Sequence, residues 1–358
     1  MRSQRPTILD SLPRVGLITA FQSESPLHPK AREVLLDAFD QGWAEPRKIH
    51  QASRRAALLR DEARQSLATS LQVRGGDLHF LGEASLGFHL GISGLLNGTM
   101  YHSATSRSEV FAIAHGVNAV EIPFNSPLPL GAPGDVLAWQ AVNGETGIRA
   151  ADPQGFTGRI FLDATATHSG NHGRWDAALW DSGTWTGPRG LGIFVVKDLG
   201  AWKNPLPHLD QRVAPGDRSI PLVLASAVAL ENFAQDYAAA RARIRTMNER
   251  IRHFARNEIG DVDIAGDFES MEIGEPAKLS LSFLYVDAEQ LVSELDRAGF
   301  AVDSGSACSS LEMKPSHVLA AMGLLTHGNV RLTLRAEHTD SYIDSFLVAL
   351  KECVLRLR

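Results

Sequence analysis

Short apolar runs bounded by turn residues constrain the fold of this chain more than any other feature. The runs are DVLAWQAV (135–142), RIFLDA (159–164), AALWDS (177–182) and GLGIFVV (190–196). A strand carries apolar side chains on both faces when its sheet is covered on both sides. These segments therefore predict a buried sheet with helices packed on each face.

Helical patterns alternate with strands in the first half of the chain. Residues 30–70 carry apolar residues at helical spacing, and SLGFHLGISGLL (85–96) follows the short strand-like run DLHFL (77–81). EVFAIAHG is typical of a helix, and AVEIPF of a strand. Alternation of this kind favours an α/β fold with a mainly parallel sheet.

The pattern changes near residue 222, where a long helical segment begins. It leads into the strand-like runs VDIAG, KLSLSFLY and NVRLTLRA, with helical segments between and after them. A chain of 358 residues is expected to form about two domains. We predict an N-terminal segment at 1–29 that packs on the small domain, a large α/β domain at 30–221 and a small α+β domain at 222–358.

Composition and charge narrow the range of functions. Hydrophobic residues make up 44% of the chain, charged residues 21%, and the net charge is −6. This mild acidity gives no general basis for binding nucleic acid or an anionic membrane. We find no signal-peptide pattern and no apolar run long enough to span a bilayer, so the expected location is the cytoplasm, without a nucleic-acid or membrane partner.

The cysteines and histidines do not indicate a metal site. Cys308 and Cys353 are the only cysteines, too few for a disulfide framework, and no zinc-finger spacing is present. Cys353 lies among apolar residues of the last helical segment, so we expect it in the core. His168 and His172 have HxxxH spacing, but their Gly/Ser/Asn-rich surroundings predict a loop, so we predict no metal.

Several further segments, taken together and in this order, resemble one known family. WAEPRKIHQASRRA is similar to a family stretch "NPSSxH…GRRA", VNGETG to "NNETG", FLDATATHSG to "HTDAVQAAG" and GTWTGPRGLGIFVV to "HKFYGPKGIGALYV". VDSGSACSS resembles the active-cysteine loop, and PSHVLAAMGL with NVRLTL the end of the pattern. The family is the cysteine desulfurase branch of the class V aminotransferases. The resemblance implies fold type I of the pyridoxal phosphate (PLP) enzymes and a homodimer.

The resemblance also implies roles for individual residues. Asp163 matches the aspartate that pairs with the pyridine nitrogen of PLP, and Asn143 matches an asparagine of the cofactor site. Arg331 matches the arginine that binds the substrate carboxylate, and we place His50 with it in substrate binding. Cys308 matches the cysteine that becomes a persulfide.

Other positions depart from the family pattern. Thr184 stands where the family has its Schiff-base lysine, and a hydroxyl cannot form an imine. Arg107 stands at the ring-stacking histidine, Ala166 at a glutamine that contacts the cofactor, and Ser85 at a phosphate-binding threonine. Three acids are predicted around the phosphate position, and they argue against stable PLP binding: Glu83, Asp181 and Asp217.

These departures leave several functions open. One is a desulfurase-like protein that has lost PLP-dependent catalysis and retains sulfur handling through Cys308, with a separate sulfur donor or acceptor protein, or binds a small anion. A second is a working PLP-dependent desulfurase or aminotransferase with atypical cofactor anchoring. A third is a non-enzymatic scaffold or regulatory subunit. The sequence leaves open whether the protein is an enzyme.

Overall fold

The computed structural model describes residues 21–169, 171–208, 213, 219–266, 274–305 and 315–358. The helices are α1 (Pro29–Gln41), α2 (Gln51–Ser70), α3 (Ser85–Leu95), α4 (Ser108–Ala114), α5 (Ile220–Phe254), α6 (Ala288–Arg297), α7 (His317–Ala321) and α8 (Asp340–Leu357). The strands are β1 (Leu78–Leu81), β2 (Met100–Ser103), β3 (Ala119–Ile122), β4 (Val136–Gln140), β5 (Arg159–Asp163), β6 (Ala177–Asp181), β7 (Gly192–Val196), β8 (Val262–Ile264), β9 (Lys278–Phe283) and β10 (Asn329–Thr333).

The larger of the two sheets has seven strands in the order β1-β7-β6-β5-β4-β2-β3. The pairs from β3 through β2, β4 and β5 to β6 are parallel, whereas β7 is antiparallel to both β6 and β1. The prediction of a mainly parallel α/β sheet is therefore confirmed. The carboxyl ends of β2, β4, β5 and β6 meet at one edge of this sheet.

Both faces of the large sheet are buried, as the apolar runs predict. Along β4, Leu137 and Trp139 belong to a core shared with α1, α2 and α5, while Val136 and Ala138 face a second core under α3 and α4. Strands β5, β6 and β7 alternate in the same way between the two cores. This double burial fixes the register, because a slip of one residue would exchange the two faces.

Helix α3 packs directly on the sheet because it presents glycines to the strands. A Cβ added at Gly87, Gly91 or Gly94 would lie 2.4, 2.2 or 1.9 Å from atoms of Leu179, Phe161 or Trp202, respectively. The spacing of these glycines places them on one side of the helix. The close approach fixes the N-terminus of α3 beside the carboxyl edge of the strands.

The smaller sheet is antiparallel, in the order β10-β9-β8. Its core is formed with the end of α5, with α6 and with α8, and it includes Cys353, which is buried as expected. Helix α5 contributes to the cores of both sheets. Val223 and Leu230, near its start, pack under the large sheet, and Met247 and Ile251, near its end, pack on the small sheet.

The first described residues contact the small sheet. Phe21 donates its backbone N–H to the carbonyl of Ala301 and accepts a hydrogen bond from the N–H of Thr333. Its ring is buried against Phe346. The division into segments at residues 29 and 221 stays a prediction.

One strand is absent from the sequence prediction. The segment MYHS forms β2, between β3 and β4, although it is short and half polar. His102 is nevertheless buried there, and its ring packs edge-on against Phe111 of α4. Within the described ranges, the helices include none whose length and hydrophobicity would allow it to cross a bilayer.

We expect Gly91→Ala to lower the free energy of unfolding by about 1–3 kcal/mol, because the new methyl group collides with the ring of Phe161 and overpacking outweighs the gain in helix propensity. Urea unfolding followed by circular dichroism measures the change. Gly76→Ala is the control, because a Cβ there meets no atom within 4 Å. Equal stabilities of the two variants would contradict the packing of α3 described above.

Candidate functional site

Polar residues end three neighbouring parallel strands at the same edge of the large sheet. Gln140 ends β4, Asp163 ends β5 and Asp181 ends β6. Gln140 and Asp163 are register partners across the β4–β5 pair. In open α/β sheets ligands bind outside the carboxyl ends of the strands, so this edge is the candidate site.

Asp163 is buried, and both of its carboxylate oxygens accept hydrogen bonds. The backbone N–H and the hydroxyl of Thr165 donate to Oδ1 at 3.0 and 2.6 Å, and Nε2 of Gln140 donates to Oδ2 at 3.2 Å. Only 3% of the residue is exposed. These bonds offset the cost of burying the carboxylate.

Asn143 fixes the loop that follows β4. Its Nδ2 donates to the carbonyl of Thr105 and to Oε1 of Gln140. Its Oδ1 accepts from the backbone N–H groups of Glu145 and Thr146. Asn143 is thus connected to Asp163 through Gln140, and all its polar atoms are used within the protein.

Arg107, the N-cap residue of α4, lies beside Asp163. Its Nη1 donates to the hydroxyl of Thr165 at 3.1 Å, and its guanidinium lies 5.7 Å from the ring centroid of Phe88. Burial lowers the pKa of Arg107, but the negative charges of Asp163 and Glu109 outweigh that effect and raise it above the ordinary value. Arg107 therefore remains a cation at this edge.

The turn after β6 holds Asp181 and Thr184. Asp181 caps a single helical turn, Ser182–Trp185, by accepting the N–H of Gly183 at 2.8 Å. The hydroxyl of Thr184 donates to the carbonyl of Thr165 at 2.6 Å. Thr184 is thus adjacent to the segment that follows Asp163, and its hydroxyl is already engaged.

Two acids lie close together near the N-terminus of α3. Glu83 accepts the backbone N–H of Ser85 through Oε1 at 3.3 Å. Burial raises the pKa of Asp181, and repulsion by Glu83 adds to the rise. The hydroxyl of Ser85, at the first position of α3, is exposed.

Arg331 on β10 faces the loop that contains Asn143. Its Nη1 lies 3.8 Å from Oε2 of Glu145, and its Nη2 donates to the carbonyl of Ser304. The hydroxyl of Ser316 donates a hydrogen bond to Oε2 of Glu145, and burial raises the pKa of that carboxyl. Arg331 is therefore held by an internal carboxylate.

Three further residues are predicted to belong to the site, and the structure describes one of them, His50. His50 is exposed at the N-cap of α2, and its ring makes no hydrogen bond within the described part of the chain. Cys308 and Asp217 lie outside the described residues. The roles predicted for all of these side chains stay predictions.

The structure adds Gln140, Thr165 and Glu145 to the residues predicted from sequence. Gln140 and Thr165 bind Asp163 directly, and Glu145 pairs with Arg331. The register of β4 against β5, which one sequence does not reveal, brings Gln140 to Asp163. The sequence gives a weak indication of Thr165 as a site residue, because Thr165 follows Asp163 by two residues at the end of a strand.

His168 and His172 lie beyond Thr165 but are not arranged as a metal site. The ring of His168 is 3.8 Å from that of Tyr237 and 5.1 Å from that of Phe233. His172 bonds through Nε2 to the carbonyl of Ser169. In the described part of the chain there is no group of three or more histidine, cysteine or acidic residues that could hold a metal.

Sequence comparison relates the chain to a set of named enzymes. It is 24% identical to "cysteine desulfurase IscS 1" of Archaeoglobus fulgidus, over 94% of this chain and 97% of that one. It is 28% identical to a cysteine desulfurase of Gluconacetobacter diazotrophicus over 177 residues, and that match spans 48% of this chain and less than half, 43%, of the other. No protein-family model matches. The chain is related to the cysteine desulfurases.

Solved structures of this group share the fold. The chain superposes on a "NifS-like protein" with a TM-score of 0.80 at 18% identity, covering 93% of this chain and 98% of the other. A NifS-like protein from Rickettsia africae gives 0.79 at 16% identity, with the same coverage. The fold is that of the PLP-dependent enzymes of fold type I, as the sequence motifs predict.

We expect His168 to titrate with a pKa of about 4, because burial among aromatic rings, with Arg241 and His172 nearby, lowers it from 6.5. The neutral form is favoured on folding, so this contribution to stability is complete above pH 6.5 and is lost as the pH falls toward 4. NMR titration of the histidine ring protons measures it. Tyr237→Ala should raise the pKa, whereas Tyr285→Ala, at an 80% exposed tyrosine, should not. A value near 6.5 in the unsubstituted protein would contradict this description.

Proposed function

We propose that this desulfurase homologue does not perform PLP-dependent desulfuration and that it retains sulfur handling through Cys308 or the binding of a small anion. The observation that carries the proposal is the cation beside Asp163. The guanidinium of Arg107 is linked to that carboxylate through the hydroxyl of Thr165. A cofactor ring that paired its nitrogen with Asp163 would meet this cation.

The position aligned with the family's lysine supports the same conclusion. Thr184 has no amine, and its hydroxyl donates to the carbonyl of Thr165. The next lysines along the chain are Lys197 and Lys203, after β7. Lys197 places its ammonium 3.5 Å from the ring centroid of Trp175, so it is engaged elsewhere.

The position aligned with the phosphate site carries acids. Glu83 accepts the backbone N–H of Ser85 at the start of α3, the end of a helix that favours a phosphate. Asp181 lies near enough to Glu83 for the two to repel each other. Two unit charges repel by about 4 kcal/mol at about 4 Å in an effective dielectric of about 20, so each carboxylate beside a phosphate would disfavour it, and the nearby cations Arg189 and Arg107 offset part of that effect.

Asp163 and Asn143 retain the family's residues, but Arg107, Thr184 and the two acids argue against PLP at the positions aligned with its ring, aldehyde and phosphate. No catalytic step through PLP is proposed. A working PLP enzyme with atypical anchoring is the alternative, and the experiments below decide between the two.

The proposed sulfur chemistry needs a donor that already carries a persulfide. The thiolate of Cys308 would attack the outer sulfur of that donor, a new S–S bond would form at Cys308, and the donor would leave as a thiolate. Thiol–disulfide exchange proceeds by the same kind of displacement. No net oxidant or reductant is required, and no C–S bond is broken, so an imine-forming lysine is not needed.

We also propose that two copies of the chain associate as a homodimer. Four large apolar side chains on α1, on α2 and between them are exposed by 45% to 87%: Leu36, Phe39, Ile49 and Leu58. Exposed apolar surface of this extent is typical of an interface between proteins.

We expect purified Thr184→Lys protein to stay colourless when PLP is added, because Arg107 and the acids Glu83 and Asp181 remain. Visible absorbance and the melting temperature with and without PLP are the measurements. A ligand present at about 100 times its Kd stabilises by about 2.7 kcal/mol, which gives a clear shift in Tm. Thr184→Met is the control for the loss of the hydroxyl. A yellow Thr184→Lys protein would refute the argument from charge, and a yellow unsubstituted protein would favour the alternative.

We expect Cys308→Ser to abolish persulfide labelling of the protein by a small persulfide donor, because Cys308 supplies the accepting thiolate. Cys353→Ser is the matched control, since Cys353 is buried in the small-sheet core and burial raises its pKa, which keeps it a thiol. Mass spectrometry counts the added sulfur. If Cys308→Ser is labelled like the unsubstituted protein, sulfur handling is excluded and a scaffold or regulatory subunit becomes the better interpretation.

A further inference from the structure

Arg107 is the only described cation that bonds to the residues around Asp163. Its Nη1 donates to Oγ1 of Thr165, and the same hydroxyl donates to Oδ1 of Asp163. The guanidinium also contacts Glu109, but at 3.4 Å from both nitrogens, which is long for a charged hydrogen bond. Arg107 therefore has a direct but long contact with Glu109, and it reaches Asp163 through two shorter hydrogen bonds, of 3.1 and 2.6 Å, that share the hydroxyl of Thr165.

An aromatic ring lies against the guanidinium of Arg107. Phe88 lies beneath it and supplies an aromatic face. A Cβ added at Gly144 would make only ordinary van der Waals contact with Nη1, at 4.0 Å. The side chain of Arg107 is half-buried, so the cation lies at the surface of the site, beside the loop after β4 and α3.

Asp163 has an internal environment that satisfies it without a bound molecule. Thr165 and Gln140 together donate three hydrogen bonds to its two oxygens. These donors are neutral, so they do not balance the buried negative charge. Arg107 is the group that supplies the opposite charge, and a buried charge is tolerated when it is paired.

We propose that Arg107 is a built-in counter-cation that pairs with Asp163 through Thr165 at the sheet edge. The inference rests on the proposed function, because it assigns the charge of Asp163 to a partner within the protein instead of to a cofactor. Arg107 is a positioning residue here: it holds the charged edge of β5 against α3 and α4 in the protein without a bound cofactor.

A double-mutant cycle between Arg107→Gln and Asp163→Asn tests the pairing. Glutamine keeps a side-chain donor for Thr165 but removes the charge. Arg107→Gln should lower the folding equilibrium constant in both backgrounds. We expect that decrease to be at least about fivefold larger when Asp163 is present than when it is replaced by asparagine, because the effects of coupled residues are not additive. Urea unfolding at neutral pH and low salt measures both factors.

The control is the cycle between Arg159→Gln and Asp163→Asn. Arg159 lies on the same strand, its side chain is 40% exposed against 39% for Arg107, and it pairs with Asp176 instead. We expect this control pair to be additive within about twofold. Additivity within the same limit for Arg107 and Asp163 would overturn the proposal.

Arg107→Lys separates charge from shape. Lysine keeps the positive charge, so we expect the Arg107→Lys variant to keep at least about half of the coupling free energy with Asp163 that the cycle measures. A lysine variant that is coupled to Asp163 no more strongly than the glutamine variant would overturn the counter-cation role. These measurements use the protein without PLP. Colour in the unsubstituted protein would refute the proposed function, and additive cycles would refute only the pairing.

Discussion

The burial of one carboxylate at the end of β5 determines the arrangement of the candidate site. Asp163 is almost fully enclosed, and an unpaired charge in that position would be strongly destabilising. Thr165, Gln140 and Arg107 satisfy it, and each comes from a different part of the chain. The loop after β4 is fixed in turn, since Gln140 also bonds Asn143. The geometry of the edge thus follows from the requirement to satisfy a single buried group.

The charged side chains at this edge of the sheet interact with one another within the chain. Arg107 lies between Asp163 and Glu109, and the pair Arg331 and Glu145 lies on the far side of the Asn143 loop. Glu83 accepts the N–H of Ser85 at the start of α3. On the proposed function, side chains of the protein and not a cofactor are the partners of the charges at this edge. The same electrostatic complementarity that binds a ligand is used within the chain.

The fold can be predicted from the sequence because most strands of the large sheet are continuous apolar runs. The runs around Trp139, Phe161 and Trp180 are apolar on both faces, and only a sheet covered by helices buries them. The strand β2 was missed because His102 and Ser103 interrupt its apolar pattern. Asp163, Thr184 and Arg107 could be placed near one another through the motifs. The contacts of Gln140 and Thr165 could not, because they depend on the register of β4 against β5 and on one side-chain torsion.

Fold and chemistry are separable in this architecture because they depend on different residues. The core side chains of β4 to β7 alternate between two apolar layers and contain none of the polar groups of the site. If the proposed function is correct, Thr184 removes an amine from the half-buried turn after β6 and leaves both apolar layers unchanged. The cation at position 107 is then stabilised by Asp163 through Thr165. An amine restored at position 184 alone would leave Arg107 and its link to Asp163 in place, so the chemistry of the edge depends on more than one of its residues.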